Sequence, residues 1–193
     1  MKRVVLASAS PRRRELLSLV GVDFEVLPST GEEICNETEP AGIVEALALQ
    51  KAENTAGLLS GDFIVIGADT IVKKDGAVLG KPADEGQAFK MLSELQGGRH
   101  QVYSGVALVW AEHNRRHSKK FHVMTEVEVL PMTEQQILGY IASGDCMDKA
   151  GAYGIQGCFA EYICGITGDY YNVVGLPVSK LMQELRPLLD GPL

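Results

Sequence analysis

Apolar positions change their period along the chain, and those changes outline the elements. The run Val4-Val5-Leu6 predicts a buried strand, and a loop of small residues, Ala7-Ser8-Ala9-Ser10, follows it. Pro11 stands where a helix starts, and a helix over residues 11–20 is predicted, with Gly21 as its C-terminal cap. A strand over 24–27 and a polar, acidic loop over 30–39 come next. From Pro40, the positions Val44, Leu47, Ala48 and Ala52 recur at helical spacing, predicting a helix to about residue 59. Residues 63–72 are almost continuously apolar, as for a strand buried on both faces. Lys74-Asp75-Gly76 signals a hairpin, returning over 77–79. Asp84 can cap a helix that ends near Gln96-Gly97-Gly98. Residues 100–110 and 122–130 read as long strands across a polar tip, and Thr133 opens a helix through 143. A glycine-rich segment, 149–157, is followed by a predicted strand pair near 161–166 and 171–174, then a helix over 177–189.

Strands and helices alternate early and hairpins dominate later, which predicts an α/β fold with a mixed sheet. No repeat or linker divides the chain, so residues 1–193 are expected to form one domain. A hydrophobic share of 46% over 193 residues is enough for a sizeable core. Lys and Arg number 18 against 25 Asp and Glu, a net charge of −7. That balance argues against a nucleic-acid polymer as partner but leaves room for a small anion held by local cations. No apolar run is long enough to span a membrane, and Met1-Lys2-Arg3 runs straight into the first strand without a leader pattern. Cys35, Cys146, Cys158 and Cys164 lack C-x-x-C or zinc spacing and read as reduced thiols, so a cytoplasmic protein is expected. His113 and His117 fall in the polar tip, which reads as a solvated loop.

Several residues add candidate chemistry. The start of the predicted helix 11–20, with Arg12, Arg13 and Arg14, is suited to a phosphorylated ligand. First-turn N–H groups and the helix dipole favour an anion there, and arginine forks match phosphate oxygens. The plainer alternative is a helix with a solvated basic face. Asp69 lies in Gly67-Ala68-Asp69-Thr70, inside the most hydrophobic strand. It is either satisfied by backbone N–H groups at a strand end or placed at a site to bind metal or activate water. Gly67 and Ala68 would then leave a ligand room to approach the backbone. Glu32 and Glu33 add hard oxygen ligands of the kind Mg²⁺ takes together with phosphates and water. Lys51 and the Gly80-Lys81-Pro82 lysine gain meaning only if they meet the same anion. The segments 149–157 and 168–177 carry Tyr, Ile and Gln between glycines, so they read as shaped loops lining a pocket rather than linkers.

These segments, taken in order, resemble the Maf family of nucleoside triphosphate pyrophosphatases within the Maf/Ham1, inosine-triphosphatase-like superfamily. The resemblance rests on Leu6 to Arg13, Glu33, Lys51-Ala52, Gly67-Ala68-Asp69-Thr70, Gly80-Lys81-Pro82, the segment 148–157 and Val173-Val174-Gly175-Leu176-Pro177. It implies a mixed, strongly curved sheet flanked by helices, with a cleft between two lobes. It implies hydrolysis of the α–β phosphoanhydride of a nucleoside triphosphate, with Mg²⁺ or Mn²⁺ required. Asp69 matches the catalytic carboxylate that accepts a proton from water, and Glu33 an acidic residue at the metal. Ser8, Arg13, Lys51 and Lys81 match positions facing the triphosphate. Arg12, Thr70 and Gln156 match the selectivity positions of the branch acting on dTTP and UTP. A Gln amide offers one donor and one acceptor to a pyrimidine edge, in keeping with that assignment. Gln50 departs from the Glu that the family usually carries before Lys-Ala. The resemblance also implies a possible homodimer. Two further readings stay open: a nucleotide-binding regulator of cell division and septum formation without turnover, and a pyrophosphatase for modified guanine nucleotides.

Overall fold

The computed structural model describes residues 2–113 and 115–190. The one-domain expectation for 1–193 and the polar tip both extend to residues outside that set, Asn114 among them. In chain order the strands are β1 (Arg3–Leu6), β2 (Glu25–Val26), β3 (Phe63–Lys74), β4 (Ala77–Leu79), β5 (Arg99–Glu112), β6 (Arg115–Val129) and β7 (Ile163–Thr167). The helices are α1 (Pro11–Leu19), α2 (Pro40–Ala56), α3 (Glu85–Leu95), α4 (Glu134–Ala142), α5 (Tyr170–Val174) and α6 (Val178–Asp190). One seven-stranded sheet runs β2-β1-β3-β5-β6-β7, with β4 on β3. β1 pairs parallel with β2 and β3, whereas β3–β4 and β6–β7 are antiparallel. The fold is therefore α/β with a mixed sheet flanked by helices, as the pattern predicts.

The chain folds as two compact units: Met1–Asp69, Ser104–Val123 and Gly175–Leu193 in the first, Thr70–Tyr103 and Met124–Val174 in the second. The first unit's core joins Val5 of β1 and Ala7 just after it, Phe63 and Val65 of β3, and Ala107, Val109 and Ala111 of β5 to Ala48, Ala52 and Ala56 of α2. Small residues on both sides let α2 lie almost on the sheet. A Cβ at Gly67 would stand 2.2 Å from the Ala48 carbonyl oxygen, and one at Gly105 would stand 2.2 Å from that of Val44. The space beside Gly67 is thus filled by a helix backbone, correcting the expectation that it admits a ligand. Gly67→Ala is expected to cost about 3 kcal/mol in urea denaturation, because backbone cannot yield as a side chain does. A loss under about 1 kcal/mol would mean that α2 shifts freely.

Two elements differ from the pattern. The predicted polar tip, 112–120, is mostly strand, because β5 and β6 run to Glu112 and from Arg115. Its residues 115–120 stay exposed to solvent, as expected, but in a strand, where His117 stacks on Trp110 with ring centres 5.3 Å apart and Arg116 donates to the Ala56 carbonyl at 2.9 Å. The predicted strand 171–174 is helix α5. Its β-branched valines favour a strand, but the Asp169 carboxylate accepts from the N–H groups of Tyr171 and Asn172, and that local cap turns the chain.

In the second unit, caps act where the sequence places them. Asp84 accepts from Gln87 N–H, and Thr133 forms a capping box with Gln136. His100, only 3% exposed, bonds through Nε2 to Tyr153 Oη at 2.7 Å. Burial, with the charge of Lys74, pushes its pKa down to about 4. Neutral His100 therefore stabilises the fold above pH 6.5, and that contribution is lost as pH falls from 6.5 toward 4, where the unfolded chain binds the extra proton. The loss amounts to about 3 kcal/mol by pH 4. Urea midpoints across this window should fall more steeply for wild type than for His100→Gln; equal slopes would count against it.

Candidate active site

The candidate chemistry of the first unit gathers where β1 ends and the buried run of β3 gives way to Asp69, beside α1 and α2. Strand β1 passes into Ser8, whose side chain is buried, and Ser8 Oγ accepts from Ser10 N–H at 3.2 Å. Pro11 then opens α1, with no side-chain cap from Ser10 on its first turn. One turn in, Arg13 reaches across three segments. Its Nε donates to the Gly175 carbonyl at 2.9 Å, and its Nη1 to the Ala68 carbonyl at 2.8 Å and to Ser8 Oγ at 3.4 Å. Burial lowers the Arg13 pKa, and the negative charges of Asp69 and Glu33 oppose that shift. A half-buried guanidinium held by backbone carbonyls is a fixed positive charge. It joins the start of α1 to the end of the buried run of β3 and to the approach of α6.

Lys51 is the centre of the charged group. Helix α2 presents it so that its ammonium lies 2.5 Å from Asp69 Oδ1 and 3.0 Å from Glu33 Oε1. The lysine and aspartate side chains are 16% and 13% exposed, whereas Glu33 is 52% exposed. Asp69 thus has a cation as partner, not the backbone N–H groups of a strand end. Two carboxylates on one ammonium also form an oxygen set that fits a hard divalent cation. Mg²⁺ takes one or two carboxylates and completes its shell with water and substrate phosphates. Among the described residues no group of three or more His, Cys, Asp or Glu converges as a metal cage.

The loop that carries Glu33 has no regular structure of its own. It is held from α2: Thr55 Oγ1 donates to the Leu27 carbonyl at 3.3 Å and Asn54 Nδ2 to Ser29 Oγ at 3.4 Å. Gln50 makes two bonds to the Ile34 backbone. Sequence reasoning placed Lys51 and Glu33 in the site and singled out Gln50, but missed Asn54 and Thr55. Polar residues at 50, 54 and 55 follow the helical period beside Lys51, and that was the available signal.

A family model for Maf-like proteins matches residues 3–188. The chain belongs to the Maf family. A dTTP/UTP pyrophosphatase of Agathobacter rectalis is 50% identical, with 97% of this chain and 98% of that protein covered. A dTTP/UTP pyrophosphatase of Bacillus thuringiensis subsp. konkukian is 47% identical, covering 96% and 95%. Among solved structures, a HAM1 protein from Coxiella burnetii aligns over 99% of this chain and 100% of that one, at 16% identity and a TM-score of 0.49.

Of the residues that the resemblance singles out, Thr70, Lys81 and Gln156 lie in the second unit, and Arg12 lies in the first. Thr70 follows Asp69 on β3 and is half-buried. Lys81 and Gln156 are exposed. Their segments are neighbours, because Gly151 N–H donates to the Gly80 carbonyl at 3.0 Å. The glycine-rich loop is built around Lys149, whose side chain is 10% exposed and pairs with Asp145 at 2.8 Å and Asp148 at 2.7 Å. A Cβ at Gly154 would stand 2.6 Å from the Lys149 side chain, and Gly151 has a φ of +70° that suits glycine. The loop thus has a defined shape, set around a mostly buried lysine that the sequence did not reveal. Arg12 sits half-buried on the first turn of α1. Among the described residues no helix is long and apolar enough to cross a membrane.

Proposed function

We propose that this Maf chain hydrolyses the α–β phosphoanhydride of pyrimidine nucleoside triphosphates, dTTP and UTP, releasing nucleoside monophosphate and pyrophosphate. The observation that carries the reading is the pair of carboxylates, Glu33 and Asp69, brought together on Lys51 beside the fixed charge of Arg13. The names and near-complete overlap of the relatives supply the substrate class. Glu33 and Asp69 would hold Mg²⁺ or Mn²⁺, which when bound neutralises phosphate charge and polarises the phosphorus. Asp69 orients the attacking water and accepts its proton. Lys51 turns from the carboxylates toward phosphate oxygens, and Arg13 and Ser8 fix the wall against which the phosphates lie. Phosphoryl chemistry of this kind needs positioning and charge neutralisation rather than a covalent nucleophile. In this reading, which the family resemblance supports, Lys81 faces the phosphates and Arg12, Thr70 and Gln156 face the base. A pocket discriminates a single methyl by only about 1–3 kcal/mol, so thymine and uracil nucleotides should both be accepted.

A substrate panel tests the reading: pyrophosphate release from dTTP, UTP, CTP, GTP and 7-methyl-GTP, with Mg²⁺ or Mn²⁺ and with chelator. Turnover of dTTP and UTP ahead of the others, abolished by chelation, is expected. A guanine nucleotide as the preferred substrate would overturn the base assignment. Tight binding without release of pyrophosphate would identify a nucleotide-binding regulator instead.

A further inference from the structure

We infer that Gln50 is the residue that positions Glu33, acting as an amide clip on the loop backbone. This rests on the reading of Glu33 as a metal carboxylate. Glu33 lies in a stretch without secondary structure, and its own side chain is half-exposed, so packing does not fix it. One residue on, the chain is held from both sides of a single peptide position. Ile34 N–H donates to Gln50 Oε1 at 3.1 Å, and Gln50 Nε2 donates to the Ile34 carbonyl at 3.4 Å. A primary amide has one acceptor and a donor pair, so it satisfies both backbone groups at once; a carboxylate at this position would accept from the N–H but face the carbonyl with like charge. Ile34 itself is 62% exposed and gains no burial there, which leaves the amide bonds as the anchor.

The clip is adjacent in sequence to the residue that uses it. Gln50 and Lys51 are consecutive on α2, as are Glu33 and Ile34 on the loop, so two rungs form side by side: Gln50 to Ile34 and Lys51 to Glu33. The rungs differ in kind. The ion pair is lost when Lys51 turns to a phosphate or the Glu33 carboxylate turns to a cation, whereas the amide rung involves only neutral groups and persists. One turn along α2, Asn54 Nδ2 donates to Ser29 Oγ at 3.4 Å. The loop is therefore tied to α2 at 29 and 34, and the Glu33 carboxylate is delivered between those points. Partners that orient a metal carboxylate typically change metal affinity by about 10–100-fold when removed.

The test uses Gln50→Met, which keeps length and helix propensity but makes neither bond, together with Glu33→Gln and the double variant. Binding of Mn²⁺ alone is followed by electron paramagnetic resonance, amide exchange at Ile34 by NMR, and turnover of dTTP at saturating metal by pyrophosphate release. Gln50→Met is expected to weaken Mn²⁺ binding about tenfold and to speed Ile34 exchange, with kcat at saturating metal within about twofold of wild type. In the double variant, Mn²⁺ binding should equal that of Glu33→Gln, because residues acting through one interaction do not add. Wild-type Mn²⁺ affinity in Gln50→Met, or full additivity in the double variant, overturns the clip. If Glu33→Gln itself leaves Mn²⁺ binding unchanged, the reading of Glu33 fails and the inference falls with it; an effect of Glu33→Gln without one of Gln50→Met removes the clip alone.

Discussion

Asp69→Asn is expected to lower pyrophosphate release from dTTP about a thousandfold while leaving KM within a few-fold of wild type. The asparagine is nearly isosteric, so β3 and its buried run should stay in place, and the loss reads chemistry rather than folding. A positioned general base contributes about 10²–10⁴ in rate. Asp69 also supplies one of the two carboxylates proposed for the metal, so the amide removes a proton acceptor and an anionic ligand together. Its position limits what can substitute for it. The side chain is 13% exposed, with Lys51 at 2.5 Å, and bulk water reaches it poorly. Steady-state rates at several metal concentrations decide the matter. Unchanged turnover would remove Asp69 from the mechanism, and recovery at high metal would restrict it to metal binding.

Lys51→Met is expected to lower kcat/KM for dTTP by about a hundredfold or more, the usual cost of removing one charge aimed at a developing anion. It has a second consequence that the ligand-free protein should display. Without the ammonium, Glu33 and Asp69 lose a cation that pairs with both of them. Like charges left together raise the cost of the folded state, and a divalent cation relieves it. The melting temperature of Lys51→Met should therefore rise more on adding Mg²⁺ than that of wild type, by the binding linkage that stabilises whichever state holds the ion. Equal metal-induced shifts in the two proteins would show that Glu33 and Asp69 do not share a cation, and activity close to wild type would remove Lys51 from the phosphate wall.

Much of the fold was legible because local signals and burial agreed. Residues 63–72 read as a doubly buried strand, and β3 is buried over Phe63–Ala68. Asp84 and Thr133 were read as caps and act as caps. The misread elements are those where propensity and context disagree. Val173 and Val174 favour a strand, but one carboxylate at Asp169 outweighs them and sets a helical turn. The stretch 115–120 looks like loop because it is all polar, yet it is strand, since a strand exposed on its surface needs no apolar face. Gly67 suggested room for a ligand because sequence shows that a Cβ is missing and not what fills the space.

The candidate site divides along the same line. Residue type and order alone determined that Asp69 and Glu33 were candidate carboxylates, that Arg13 and Lys51 were candidate cations, and that the chain belongs with the Maf pyrophosphatases. Those assignments rest on chemistry that each side chain carries wherever it sits. Partnership is different, because it joins positions far apart in the chain, and only the tertiary structure decided it. Lys51 holds Asp69, 18 residues away, and Glu33, on a loop before its own helix. Arg13 spends its donors on the Ala68 and Gly175 carbonyls, 55 and 162 residues away. Gln50 looked like a lost carboxylate in the sequence and is an amide bonded to a backbone peptide in the structure. Electrostatics and hydrogen bonding act over a few ångströms, so their outcome is fixed by which segments the packing of α1 and α2 on the sheet brings that close.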